Sequence, residues 1–134
     1  MKETWTSTSR KQEKPWGSIL TWSTISSLHG RVINIKRGMR TSLKYHCVKN
    51  ETIYVVDGRV LVTRGNSKTL ADPNKHPYVV DELRPGDVLV IQSECPYRIE
   101  AIEDSRLFEI GDRLNDEPVR LEDDFGRTTK EEKR

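Results

Sequence analysis

Along most of this chain apolar and polar positions alternate with a period of two, the pattern of half-buried strands rather than of helices. The alternation predicts nine short β-runs. They are SILTWS (18–23), RVINIK (31–36), TSLKYH (41–46), TIYVVDG (52–58), RVLVTRG (59–65), YVVDEL (78–83), DVLVIQ (87–92), YRIEAI (97–102) and RLFEIG (106–111). Glycine and proline punctuate them at Gly30, Arg37-Gly38, Asp57-Gly58, the stretch NSKTLADPNKHP, Arg84-Pro85-Gly86 and Cys95-Pro96. Asp57-Gly58, set between two alternating Val-rich runs, reads as the turn of a β-hairpin, because glycine takes positive φ at no steric cost. No 3.6-residue period appears until the end, where DEPVRLEDDFGRTTKEEKR suits a helical turn or two running into a charged tail. Nine short strands without helices imply an all-β sandwich or barrel.

The chain has 134 residues, which suits one domain around one core. Residues 1–13 are Thr, Ser and charge and read as a flexible tail, so the ordered domain is expected over 14–127, with a charged tail over 128–134. The formal charge of +2 arises at the two ends, and the near-neutral body offers no footprint for nucleic acid. No apolar run approaches the roughly 20 residues that span a bilayer, and the N-terminus has no apolar signal segment. Two cysteines, Cys47 and Cys95, do not make a disulfide framework, so a reducing cytoplasm is the expected compartment.

The candidate chemistry lies in SLKYHCVKNETIYVVDG (42–58). Strand alternation points Ser42, Lys44, His46 and Val48 one way and Leu43, Tyr45 and Cys47 the other. A line of Ser, Lys and His suits the mouth of a barrel, where polar side chains converge on a ligand. His46 and Glu51 together can ligate a divalent metal, although a stable site takes three or four protein ligands. By spacing alone such a pair is more often a hydrogen-bonded His–Glu couple than a metal site. Trp16 and Trp22 read as packing for the first strand, and His29, just before Gly30, as a turn residue.

Four segments together resemble a known family. KPWGSILTW (14–22), GMRTSLKYHCVKNETIYVVDG (38–58), RPGDVLVIQSECPYRIEA (84–101) and EPVRLEDDFGR (117–127) are similar, in order, to the cupin domain of type II mannose-6-phosphate isomerases, found also at the C-terminus of bifunctional mannose-1-phosphate guanylyltransferases. The resemblance implies a single-domain cupin, a β-jelly-roll barrel. It implies a metal site in which the first motif supplies Gln, two His and Glu and the second a further His. Those places hold Lys44, His46, Val48, Glu51 and Tyr97 here. Two imidazoles are replaced, and Lys44 sets a cation beside the would-be metal. His46 and Glu51, with Tyr97, are the remaining candidates for a weakly held Zn, Mn, Fe or Ni ion. The expectation is therefore a cupin that binds a sugar, sugar phosphate or sugar nucleotide through Lys44, His46, Glu51 and Tyr97, with no cofactor or a weak divalent metal. The alternative is a metal-dependent isomerase or epimerase of the mannose-6-phosphate isomerase type. No residue stands out as catalytic. Arg98 is expected to point away from Tyr97 and pair with the acidic closing segment, where the resemblance implies that Arg120, Asp123, Asp124 and Arg127 pin the tail over the barrel, the favoured reading, or that the arginines face a phosphate. Open sheet edges and the first strand suggest a homodimer.

Overall fold

The computed structural model describes residues 1–113 and 115–127; the charged tail expected over 128–134 lies outside the described residues. Eleven strands form two antiparallel sheets. They are β1 (Arg10–Lys14), β2 (Gly17–Ser23), β3 (His29–Ile35), β4 (Leu43–Tyr45), β5 (Glu51–Asp57), β6 (Val60–Arg64), β7 (Val79–Leu83), β8 (Val88–Ile91), β9 (Tyr97–Ala101), β10 (Ser105–Gly111) and β11 (Val119–Glu122). One sheet has the order β1-β2-β3-β10-β5-β8 and the other β11-β4-β9-β6-β7. All nine expected runs are strands, shifted by a residue or two at their ends. No described helix is long and apolar enough to cross a membrane.

The core lies between the sheets, where alternate side chains of each strand meet. Ile33, Ile35, Ile53, Val55, Leu89, Ile91 and Leu107 from the larger sheet pack on Val60, Val62, Tyr97, Ile99 and Ala101 from the smaller, with Trp16 at one end. The strand phase seen in the sequence is therefore the phase of burial.

Three local readings change. Asp57-Gly58 is a corner, not a hairpin turn, for β5 belongs to the larger sheet and β6 to the smaller. Gly58 takes φ 87°, and a Cβ there would meet the Ser105 hydroxyl at 2.3 Å. Positive φ serves to carry the chain from one layer to the other, which local sequence cannot distinguish from a hairpin. Order begins before residue 14, since Arg10–Lys14 pairs with β2 and KPWG itself is the hairpin turn, with Lys14 opposite Gly17. Finally, the closing segment holds no helical turn at 119–122. It is strand β11, with Val119 opposite Tyr45 and Arg120 opposite Lys44. Pairing with the short strand β4 offers its backbone groups partners that an isolated, charge-rich helical turn would lack.

Candidate functional site

Strand register sets two rows of side chains on the inner face of the larger sheet. Glu51 lies opposite Gly111, and Gly111 opposite His29; Ile53 lies opposite Glu109, and Glu109 opposite Arg31. Across the gap, Lys44 of β4 is opposite Tyr97 of β9. Of these, Arg31, Lys44, Glu51, Tyr97 and Glu109 wall a cavity of about 190 Å³ between the sheets, with Trp16, Ile33, Ile53 and Ile99 as its apolar surface.

The expected ligand-binding residues Lys44, His46, Glu51 and Tyr97 all line this cavity. The Tyr97 hydroxyl donates to Glu51 Oε1 at 3.1 Å, and His46 Nε2 lies 3.3 Å from the same oxygen. The Lys44 ammonium sits 4.8 Å from the centre of the Tyr97 ring, a cation–π contact. His46 is held from outside the strand. Its carbonyl accepts the Glu94 N–H at 2.7 Å, where Glu94 takes a left-handed φ of 68°, and Asp116 Oδ2 is 3.7 Å from Nδ1.

Val48 does not join this line. The strand ends at Tyr45, the chain turns, and Val48 is 54% exposed, its N–H donating to Asp116. The turn brings in Lys49 instead, buried to 1% exposure. Its ammonium lies 3.2 Å from Glu109 Oε2 and 3.4 Å from Glu51 Oε2. The missing Cβ of Gly111 makes the room, since an added one would stand 2.5 Å from Lys49 Cε and 2.4 Å from His29 Cε1. His29 is thus a buried strand residue, not a turn residue, with Nε2 3.1 Å from Glu109 Oε2. A turn was expected because Gly30 follows it, but that glycine admits the Trp22 ring, which a Cβ would meet at 2.4 Å.

Sequence reasoning missed His29, Arg31, Lys49 and Glu109. Three of them carried a readable signal. Glu109 shares its phase with Leu107, and His29 and Arg31 share theirs with Ile33 and Ile35, so all are polar groups at core positions of a strand. Lys49 carried none, because it lies in a turn.

The cluster settles into distinct protonation states. Burial raises the Glu109 carboxyl, but hydrogen bonds from His29 and Glu51 and the charges of Lys49 and Arg31 outweigh it and hold the group well below the usual carboxylate range. Glu51 is pushed up to about 8 by burial and by its hydrogen bond with, and the charge of, Glu109. Burial, then Lys49 and Lys44, lowers His46 to about 4. Lys44 falls to about 8 by burial, against the pull of Glu51 and Glu109. Burial and the two glutamates lift the Tyr97 phenol well above its usual value, so it stays a donor. At neutral pH the His46–Glu51 contact is therefore one between neutral groups, and Lys49 pairs with the ionised Glu109.

The donor set does not fit a divalent ion. Among the described residues no three His, Cys, Asp or Glu side chains are placed to hold one. His46 and Glu51 are brought together, but Glu51 already accepts from Tyr97, and its second oxygen faces the Lys49 ammonium. A lysine cation already balances the Glu109 carboxylate where a dication would have to bind.

Arg98 points away from the cavity, as expected, with Nη1 3.3 Å from Glu122 Oε2 and Nε donating to the Thr41 carbonyl. Arg40 grips Asp124, with Nη2 to Oδ1 at 2.8 Å, and Arg127 grips Asp123 at 2.8 Å. The closing segment is pinned to the body by Arg40 and Arg98, while the Arg127–Asp123 pair lies within the segment itself. Cys47 and Cys95 are free thiols.

No protein-family model matches the chain, and no curated protein sequence matches it. Solved structures do. Oxalate decarboxylase from Bacillus subtilis aligns at 19% identity and TM-score 0.71 over 84% of this chain, which spans only 30% of that one. The vicilin from Solanum melongena aligns at 19% identity and TM-score 0.67, covering 82% of this chain and 32% of its own. KdgF from Halomonas sp. is similar in size: at 20% identity and TM-score 0.60 the match covers 76% of this chain and 85% of that one. At such identities the likeness defines the fold. The chain has the cupin fold, an all-β jelly roll, with a polar cluster in the barrel.

Proposed function

We propose that this cupin is a small-molecule-binding protein that holds a carbohydrate-type ligand, a sugar or sugar phosphate, in its barrel. The observation that carries the reading is the cavity itself, in which Lys44, His46, Glu51 and Tyr97 converge over apolar walls. Its volume of about 190 Å³ is below the roughly 300–1,000 Å³ of pockets for drug-sized ligands, which favours one sugar ring over a sugar nucleotide. The resemblance of the motifs to type II mannose-6-phosphate isomerases favours a hexose phosphate, and the vicilin from Solanum melongena holds different anionic ligands in structurally similar pockets. Calorimetric titration with mannose 6-phosphate tests the reading. Binding that weakens about tenfold or more in Tyr97→Phe supports it, that loss being what an unpaired polar group costs; an empty titration across hexoses and hexose phosphates would overturn it.

One observation favours a second reading, an isomerase or epimerase. Glu51 and Lys44, both at about 8, face the cavity as acid and base near neutral pH. Lys44 in its neutral form would take the C2 proton of an aldose as Glu51 gives its proton to the carbonyl oxygen, leaving an enediol. Loss of the C2 proton of mannose 6-phosphate into deuterated water would establish this activity, and retention would exclude it.

We infer also that the homodimer uses the outer face of the larger sheet rather than its edges. Leu20, Val32, Phe108, Tyr54 and Val88 form one continuous row across it, and Ile110 and Val90 lie in the next. Six strands about 4.8 Å apart and about 20 Å long present roughly 500 Å² in plan, which approaches the ~800 Å² per partner of a stable interface once side-chain relief is counted. A second copy, packing sheet on sheet, is the partner this flat apolar face fits.

A further inference from the structure

The cavity opens along a seam between two edge strands from different sheets. β1 ends the larger sheet and β11 ends the smaller, and neither pairs with the other. Four cations gather there: Lys14 at the end of β1, Arg31 on β3, Arg120 on β11 and Arg127 just beyond it, all lining the cavity. Their mutual proximity is felt directly. Lys14 is lowered by burial and then by Arg127, Arg120 and Arg31, and Arg120 by burial and then by Arg127.

Each cation of the cluster also feels a counter-charge, Arg120 from Asp123 as well as Glu117. Arg127 has Asp123, Arg31 stands 3.5 Å from a Glu109 already engaged by His29 and Lys49, and Glu117 acts on Lys14 and Arg120. Arg31 Nε is buried without a hydrogen-bond partner. Like charges drawn from both ends of the chain repel one another, and β11 is tied to the body by its pairing with the three-residue strand β4 and by the pins on Arg40 and Arg98.

We propose that the seam is an anion clasp: a phosphate or carboxylate group of the ligand sits among Lys14, Arg31, Arg120 and Arg127 and ties β11 to β1 over the filled cavity. The inference rests on the reading of the cavity as a carbohydrate site and adds that the ligand is anionic. Arginine forks suit a planar or tetrahedral oxyanion, and lysine supplies a point charge. Without the anion, repulsion across the seam loosens β11. With it, the repulsion becomes attraction on both sides.

The test uses the full chain, calorimetry and hydrogen exchange, with mannose 6-phosphate, mannuronate, mannose and inorganic phosphate as probes. A clasp predicts that the anionic sugars bind at least about tenfold tighter than mannose, the scale of charge-assisted hydrogen bonds. It also predicts that their amide exchange slows at Val119–Glu122, that affinity falls with salt, and that Lys14→Met removes most of the preference. Lys14 lies at a strand end and its substitution spares the core, so the variant should fold; Arg31→Gln provides an independent check. The tighter of the two anionic sugars tells phosphate from carboxylate. Mannose binding as well as mannose 6-phosphate, untouched by Lys14→Met, would overturn the clasp and leave the sugar site standing. Inorganic phosphate binding as tightly as any sugar would support the clasp and remove the sugar reading. If no probe binds, both are overturned.

Discussion

Glu51 and Glu109 face each other on neighbouring strands, and their surroundings drive them apart in acidity. Glu109 has His29, Lys49 and Arg31, and Glu51 has mainly Tyr97 and His46. A carboxyl raised to about 8 means that the folded state holds a proton the unfolded state has released. Stability from Glu51 is then fully present below its ordinary value and is lost as pH rises toward 8. His46, lowered to about 4, works in the opposite sense, its stability being lost as pH falls from about 6.5 through 4. The two oppose each other at acid pH, and Glu51 acts alone between about 6.5 and 8. Glu51→Gln should therefore stabilise the protein relative to the native chain increasingly over that window, by on the order of 1–2 kcal/mol at its top. Thermal melts of both proteins from pH 6 to 8.5 would show it; parallel curves would mean that Glu51 is ionised in the fold. Lys49 invites a sharper change. Replacing it with Met strips Glu109 of a buried cation, and breaking such a pair costs about 3–5 kcal/mol, read as a lower denaturant midpoint.

At the scale of elements, the site depends on close approach of strands as much as on side chains. β10 runs through the middle of the larger sheet and carries Glu109 and Gly111 two residues apart on its inner face. Gly111→Ala would drive a methyl against His29 and Lys49, so we expect a loss of about 1–3 kcal/mol, typical of overpacking, together with weakened ligand binding, since Glu51 is the direct neighbour of Gly111 on β5. Gly17→Ala meets a harder obstacle. Its Cβ would stand 1.9 Å from the Asn34 carbonyl oxygen, a backbone atom that cannot swing away, so the β1–β2 hairpin should detach from β3. Limited proteolysis that cuts near residues 10–17 in this variant and spares the native chain would check it. The sequence marked β2 to β10 by alternation alone. It did not mark β1 or β11, because RKQEK and VRLE are polar strands at sheet edges, where pairing rather than burial holds the chain.

At the scale of the whole molecule, two sheets give one filled interior and one apolar outer face. Tyr54, Val88, Val90 and Ile110 are each close to half exposed or more on that outer face. If two copies pack through this face, as proposed, a Tyr54→Glu, Val90→Lys pair should leave the fold intact and give a monomer, seen as a halved mass by light scattering; an unchanged mass would overturn the proposed contact. What the sequence determined by itself was the class of fold and the strand phase, because alternation is a local property set by which side of a strand faces water. It also marked Lys44 and His46 by that phase, Glu51 by its spacing from His46, and Tyr97 through the resemblance of its motif. Only the tertiary structure decided that Asp57-Gly58 is a corner between layers, that Val48 turns outward, and that Lys49, Glu109, His29 and Arg31 complete the polar cluster. Those facts depend on which strands become neighbours, and contact between residues 60 or 80 positions apart leaves no trace in local pattern.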